Sequence, residues 1–196
     1  KLPMKKISSL LAGFSLLLAA NSHAAPLPVA ASFSILADIV QNVGGERVAI
    51  TTLVGPDQDA HVFQPTPADV QKLAKTRLVF VNGLGFEGWL KRLQQASKYN
   101  GQVITVTKGI APLDRQENDH DDHGHSHGHA DPHAWQDPQQ VKQMVVNIRD
   151  ALSDADPQGR EYFQSRANAY SKELDQLQQW AQQQIATIPQ ASRAVL

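Results

Sequence analysis

The sequence predicts an α/β fold in which a mainly parallel sheet carries helices on both faces and is followed by one long helix. Short apolar or β-branched segments alternate with helical patterns between residues 27 and 107, which is typical of βαβ units. A later stretch of about 28 residues repeats apolar side chains every three or four positions, which indicates a helix roughly 42 Å long. The 196 residues, 41% of them hydrophobic, suffice for one or two modest domains.

Four strands with three intervening helices are expected in the first part of the chain. Ser34 is placed to cap the first helix, and the pair Gly44-Gly45 is expected to end it. Ligands of open parallel sheets bind in loops beyond the carboxyl ends of the strands. The predicted strands cover residues 27–33, 47–54, 78–81 and 102–107, and the predicted helices cover residues 35–43, 68–75 and 86–98.

Two further helices are predicted after residue 136. Asp137-Pro138 is a strong helix start, because aspartate is a preferred N-cap and proline suits the first helical position. The long helix is expected from about residue 158 to about residue 185, and its Gln- and Ser-rich flanks favour a strut between lobes over a coiled-coil seam. Its apolar stripe consists of Phe163, Ala167, Tyr170, Leu174, Leu177, Ala181, Ile185 and Ile188.

The first 24 residues read as a secretory signal peptide, with a buried N-terminal helix as the alternative. Lys5 and Lys6 give a positive start, residues 7–20 an apolar stretch, and Ser22-His23-Ala24 a cleavage site of the small-x-small type. The apolar stretch is shorter than the roughly 20 residues that a membrane-spanning helix needs. We therefore expect an exported protein, located in the periplasm of a two-membrane bacterium.

Composition argues against several classes of function. A net charge of −1 and the lack of a long basic run argue against a nucleic-acid-binding surface. The absence of cysteine excludes disulfides, thiolate zinc sites, thiol catalysis and an N-terminal lipid anchor on cysteine. The sequence contains no metalloprotease motif, no serine-hydrolase motif and no Walker-type loop. We therefore do not expect an enzyme.

Histidine is concentrated in one stretch, since residues 119–138 hold six of the eight. Residues 119–129 form a His/Asp/Gly/Ser segment, the histidine tract, whose composition forbids a packed core and predicts disorder without metal. A metal-scavenging loop and a solvated linker that binds metal incidentally are equally open interpretations of this tract. Its histidines are His120, His123, His125, His127 and His129.

Two short motifs place the remaining histidines of the mature chain on stiffened backbone. The segment His61-Val62-Phe63-Gln64-Pro65-Thr66-Pro67-Ala68-Asp69 has two prolines that restrict the loop after His61. The segment Asp131-Pro132-His133-Ala134-Trp135-Gln136-Asp137-Pro138 holds His133 between a proline and a capped helix start. Together, in this order, they resemble the patterns of the zinc/manganese-type substrate-binding proteins of bacterial ABC importers. A histidine tract before the second motif is typical of the zinc-specific branch of that family.

This resemblance implies two Rossmann-like lobes joined by a rigid helix, with the metal in the cleft between them. It implies that His61 and His133 are metal ligands from the first lobe. Asp131 could hold a ligating imidazole through its N–H group, or it could form a turn before Pro132, and both interpretations are open. Trp135 is expected to pack under the loop. The family's remaining ligands, a histidine or glutamate and a further carboxylate, are expected beyond Leu196, so the second lobe is expected to be largely missing. Many relatives carry an acidic residue where this chain has Ala60.

The function expected is that of a periplasmic zinc receptor that delivers Zn2+ to an ABC permease, as a monomer and without nucleic acid. A manganese receptor (Mn2+) and a histidine-rich storage or chaperone protein for zinc are the alternatives, and a zinc hydrolase is disfavoured. The expected organisation is a signal peptide at 1–24, an α/β lobe at 25–118, the histidine-rich loop at 119–130, the metal motif with its helix at 131–157, the connecting helix at 158–188, and the first strand of a second lobe at 189–196.

Overall fold

A computed structural model describes residues 25–111 and 131–193. In these residues the protein folds into a four-stranded parallel sheet with helices. The predicted α/β class is therefore confirmed. Residues 1–24 and 119–130, on which the signal peptide and the histidine-rich loop were predicted, lie outside the described residues. The elements in chain order are β1 (Leu27–Phe33), α1 (Ser34–Gly44), β2 (Val48–Val54), α2 (Pro67–Ala74), β3 (Leu78–Val81), α3 (Leu90–Ser97), β4 (Gln102–Thr105), α4 (Pro138–Ala155) and α5 (Arg160–Ala186).

The sheet has the strand order β2-β1-β3-β4, with every neighbouring pair parallel. Val29 of β1 pairs with Ile50 on one side and with Leu78 on the other. β1 and β3 are almost entirely buried, which explains why both are continuous apolar runs. The chain moves from β1 to β2 on one side and then crosses to β3 on the other. The gap between the carboxyl ends of β1 and β3 is therefore the topological switch point, where such folds bind ligands.

The helices form two groups, one for each face of the sheet. The β1–α1–β2 and β2–α2–β3 connections run in opposite directions, and right-handed crossovers therefore place α1 and α2 on opposite faces. Helices α4 and α5 pack against each other and against α1, whereas α2 packs against α3. None of the helices within residues 25–111 and 131–193 is long and apolar enough to cross a membrane.

The long helix α5 is buried along only part of its apolar stripe. Phe163, Ala167 and Leu174 are buried in the core shared with α1 and α4. Farther along α5, Leu177 is 47% exposed to solvent and Ile185 is 53% exposed. Trp180 is 58% exposed on the same half of the helix and is not part of the predicted stripe. The predicted length is confirmed, and the role of a strut between lobes stays a prediction.

Several predicted boundaries are wrong, each for a local reason. Ser34 is the first residue of α1 rather than its cap, because Phe33 occupies the N-cap position and no side chain caps the helix. Arg47 lies in a 3-10 turn, where its guanidinium pairs with Asp156 at 2.7 Å, so β2 begins at Val48. The part of the predicted final strand that is described contains a 3-10 helix, Gln190–Ser192, and residues 194–196 lie outside the described residues.

The remaining corrections concern the strand and helix on either side of residue 100. β4 ends at Thr105 rather than at 107, and α3 begins at Leu90 rather than at 86. Residues 83–85 all have positive φ, a conformation that no α-helix contains, so the chain makes a compact turn before α3.

Helix α2 begins with a capping box that also ends the loop carrying His61. The Thr66 backbone N–H donates to the Asp69 carboxylate at 3.0 Å, and the Thr66 hydroxyl accepts from the Asp69 backbone N–H at 3.4 Å. Lys72 donates to the other Asp69 oxygen at 2.9 Å. Burial would raise the pKa of Asp69, but the hydrogen bonds from Thr66 and the ion pair with Lys72 outweigh burial and lower it.

Replacing Asp69 by alanine should lower the free energy of unfolding by about 1–2 kcal/mol, because the start of α2 loses its reciprocal cap. Urea denaturation followed by circular dichroism measures the change. Since the folded-state pKa lies below the unfolded value, the contribution is present above pH ~4 and is lost as the pH falls through the folded pKa. The difference between the two proteins should therefore shrink in acid.

Asp150→Ala is the matched control for Asp69→Ala. The side chain of Asp150 lies on α4 and is 59% exposed, and among the described residues it pairs only with the neighbouring Arg149. This substitution should change the free energy of unfolding by less than about 0.5 kcal/mol. Equal effects of the two substitutions at neutral pH would contradict the capping role of Asp69.

Candidate metal site

Two histidines from separate loops meet at the carboxyl edge of the sheet. His61 lies in the loop after β2, and His133 lies in the segment that leads into α4. Their Nε2 atoms are 3.3 Å apart and their ring centroids 5.3 Å apart. The structure thus brings together the two residues, 72 positions apart in sequence, that the motifs singled out.

The separation of the two nitrogens fits shared coordination of one ion. In a tetrahedral zinc site with Zn–N bonds of 2.0–2.1 Å, two ligand nitrogens lie about 3.3–3.4 Å apart. The same distance also permits a weak hydrogen bond from one imidazole N–H to the other ring. A cation bound between the two nitrogens would take the place of that hydrogen bond.

An aspartate two residues before each histidine fixes its backbone in the same manner. Asp59 accepts a hydrogen bond from the His61 backbone N–H at 2.8 Å, and Asp131 accepts one from the His133 backbone N–H at 2.9 Å. Both are turns of the type that aspartate favours, in which the side chain replaces a backbone acceptor. Asp59 therefore acts on the backbone of His61.

Asp131 makes a second contact that Asp59 does not make. Its Oδ1 atom lies 2.6 Å from Nδ1 of His133. An ionised carboxylate only accepts hydrogen bonds, so Nδ1 carries the ring proton and Nε2 presents its lone pair toward His61. The structure therefore places Asp131 where the sequence predicts it, and an aspartate in this arrangement orients an imidazole for metal binding.

A tryptophan outside both motifs, Trp89, holds the loop of His61 in place. Trp89, only 1% exposed, donates from its indole N–H to the carbonyl of Ala60 at 2.8 Å. Phe63 packs edge-on against the Trp89 ring at 5.0 Å. The available signal was the aromatic residue at the third position of the first motif, which needs an apolar partner to bury it.

Three aromatic rings lie beneath the two histidines and form what we call the aromatic floor, namely Phe33, Phe86 and Trp135. The ring of Phe86 is 4.5 Å from that of His61, and the ring of Trp135 is 5.2 Å from that of His133. The three floor rings contact one another at 4.8–5.1 Å. Trp135 packs as predicted. Phe33 and Phe86 were missed because neither belongs to a motif: Phe33 ends β1, and Phe86 lies in the turn between β3 and α3.

The aromatic floor covers one side of the imidazole pair, and the other side is open to solvent. The His133 side chain is 29% exposed, His61 is exposed, and the neighbouring Val62 is 71% exposed. Within residues 25–111 and 131–193, no group of three or more histidine, cysteine or acidic side chains could hold a metal ion. Among the described residues, His61 and His133 are therefore two candidate ligands, whereas a zinc ion in a structural site has four. The five tract histidines lie outside the described residues, and their role stays a prediction.

Comparisons with known proteins show that most of this chain is similar to metal-binding proteins. The model of a family described as ZnuA, zinc-uptake complex component A, periplasmic, matches residues 29–196. The chain is 36% identical over 170 residues to the manganese-binding lipoprotein MntA of Halalkalibacterium halodurans, which covers 87% of this chain and 53% of MntA. It spans about half the length of several curated relatives that it matches.

Two solved structures share the fold. A crystal structure of ZnuA superposes with a TM-score of 0.75 at 28% identity, over 84% of this chain and 61% of that one. The manganese-bound periplasmic metal-binding protein from Candidatus Liberibacter asiaticus superposes with a TM-score of 0.64 at 33% identity, over 75% of this chain and 52% of that one.

In the metal-free protein, the neutral ring of His133 should carry its proton on Nδ1, because Asp131 accepts from that atom. Long-range proton–nitrogen NMR of histidine-labelled protein distinguishes the two tautomers directly. Asp131→Ala should shift the ring toward the Nε2–H tautomer, which is the more stable form of a histidine side chain in water.

The matched control is Asp59→Ala, which removes the equivalent backbone contact at His61 and no contact to the His133 ring. It should leave the tautomer of His133 unchanged. An Nε2–H tautomer in the unaltered protein would show that Asp131 does not orient this ring.

Proposed function

Because the chain belongs to the ZnuA family of periplasmic metal-uptake components, we propose that it binds a transition-metal cation as cargo between His61 and His133. The observation that carries the proposal is the 3.3 Å separation of their Nε2 atoms. The family consists of substrate-binding receptors of ABC importers rather than enzymes. We therefore propose transport, with the protein exported to the periplasm, where it delivers its ion to a membrane permease.

We further propose zinc as the cargo. Two neutral imidazoles are good ligands for zinc, whereas manganese prefers carboxylate, carbonyl and water oxygens. The Nε2 separation agrees with the angle between two ligands in a tetrahedral zinc site. The histidine tract adds further zinc-type ligands nearby in sequence.

The remaining coordination positions call for ligands besides these two histidines. A transport receptor should enclose its ion in protein ligands and leave no reactive water, unlike a zinc hydrolase, which keeps one position open. We propose that a second lobe supplies them, in keeping with the greater length of the relatives and with the exposed apolar half of α5. The imidazole pair would then form one wall of a cleft.

A manganese receptor is the second candidate, because the relative MntA is named as manganese-binding and a solved relative contains manganese. Nothing in the imidazole pair excludes this ion, since nitrogen ligands bind manganese, though more weakly than zinc. The ligands supplied by the second lobe would decide between the two, because additional carboxylates favour manganese.

Replacing either His61 or His133 by alanine should weaken one zinc-binding component of the protein at least tenfold, because each residue is proposed to supply a direct ligand. A competitive titration against a coloured chelator measures this component. His125→Ala is the matched control, since it removes one histidine from the tract and should change the component less than twofold.

The same titration separates the shared site from storage by the histidine tract. A receptor should show a zinc component that depends on His61 and His133 and that survives deletion of residues 119–129. Zinc binding that ignores both His61 and His133 and disappears when residues 119–129 are deleted would contradict the proposal and support storage by the histidine tract.

A further inference from the structure

The turn between β3 and α3 lies beneath both histidine motifs and belongs to neither of them. Its residues Gly83, Leu84 and Gly85 all have positive φ angles, of 86°, 54° and 79°. Glycine adopts such angles readily, but leucine rarely does, so surrounding contacts must hold this turn in shape. A side chain at position 83 would also collide with Thr105, because a Cβ there would lie 2.4 Å from a methyl carbon of that threonine.

The carboxylate of Glu87 supplies those contacts. One oxygen accepts from the backbone N–H of Asn82 at 2.7 Å and from the hydroxyl of Ser32 at 2.7 Å, and the other accepts from the backbone N–H of Gly83 at 3.0 Å. Ser32 is fully buried in β1. Burial raises the pKa of Glu87, while these three hydrogen bonds oppose the rise. The turn is thereby fastened to the central strand of the sheet.

The side chain of Asn82 fastens the second motif to the same turn. Its amide NH₂ donates to the carbonyl of Pro132 at 2.9 Å and to the carbonyl of Gly83 at 3.1 Å. Pro132 is the residue immediately before His133, so this contact fixes the backbone from which that imidazole projects. Asn82 is 1% exposed, and its Oδ1 atom has no hydrogen-bond partner among the described residues. A buried unpaired acceptor destabilises a fold, so stability alone is a poor reason for asparagine here.

The same turn also places the ring under the first motif. The Phe86 backbone N–H donates to the carbonyl of Gly83 at 3.0 Å, which closes the turn, and the Phe86 ring meets the His61 ring edge-on at 4.5 Å. Phe86 is 5% exposed and cannot move without disturbing the aromatic floor. One turn therefore touches the surroundings of both histidines, by a hydrogen bond on one side and by ring packing on the other.

We propose that Asn82 and Glu87, together with Ser32, form a buried bracket that positions both imidazoles for one metal ion, His133 through the Pro132 carbonyl and His61 through Phe86. This proposal rests on the metal-binding function proposed above. The bracket residues contact neither the ring nitrogens nor the ion, so they are positioning residues. Their effect on binding follows from geometry, since a displacement of about 1 Å in either ring moves the nitrogens outside the separation that tetrahedral zinc requires.

Asn82→Ala should weaken the His61-dependent zinc component about 10- to 100-fold, the range seen when partners of metal ligands are removed. Asn147→Ala is the matched control, because its amide also donates to two backbone carbonyls, those of Val106 and Lys108 at 2.7 and 2.9 Å, away from both histidines. This control should change zinc affinity less than twofold while its urea midpoint falls comparably. Equal losses of zinc affinity in the two variants would overturn the bracket.

Nitrogen NMR of the metal-free protein tests positioning independently of zinc. Asn82→Ala should move the ring signals of His133, and Glu87→Gln should move those of His61, relative to Asn147→Ala. Should Glu87→Gln fail to fold, Ser32→Ala removes only one of the three hydrogen bonds to the carboxylate and takes its place.

The two readouts separate the bracket from the function on which it rests. If zinc binding requires His61 but neither affinity nor ring signals respond to the bracket variants, the bracket is wrong and the metal site stands. If the ring signals respond but the unaltered protein shows no His61-dependent zinc component, positioning is supported and the proposed function is overturned.

Discussion

The approach of two imidazoles across the carboxyl edge of a parallel sheet is the interaction on which the rest of the site depends. His61 and His133 arrive from loops on opposite sides of the switch point between β1 and β3. The two central strands end in aromatic residues or lead into them, and these rings fill the space below the histidines. The strand order creates a gap at the switch point. In this chain the Nε2 atoms of His61 and His133 lie 3.3 Å apart in that gap.

An ion that takes the place of a hydrogen bond between the two Nε2 atoms needs both rings already in position, and the protein fixes both rings by other contacts. It does so in three layers, which are the aspartate turns at Asp59 and Asp131, the apolar contact with the aromatic floor, and the buried turn at Asn82 and Glu87. Each layer restricts the imidazoles before any ion arrives. Prior restriction reduces the entropy lost on binding, which is how a pair of ligands gains affinity without further contacts.

The sequence predicts most of the fold, because long periodic elements and capped helix starts are local properties. β1, β3 and the capped start of α4 agree with the structure to the residue. Errors occur where tertiary contacts override local preference. An ion pair with Asp156 draws Arg47 into a turn, and the carboxylate of Glu87 binds the turn at residues 82–83, so that α3 begins only at Leu90. His61, His133 and Asp131 were predicted because motifs mark them. The roles of Trp89, Phe86 and Asn82 were not, because only the folded chain shows what they touch.

X-ray absorption at the zinc edge tests most directly whether His61 and His133 bind one ion together. The protein for this measurement carries asparagine at His23 and at the five tract histidines, so that only the motif histidines contribute imidazole. Zinc should then show nitrogen scatterers at about 2.0–2.1 Å with the outer-ring signal of two imidazoles, and that signal should vanish when both histidines are replaced by alanine. A zinc spectrum of the protein that retains both His61 and His133 but shows only one imidazole, or none, would contradict the shared site.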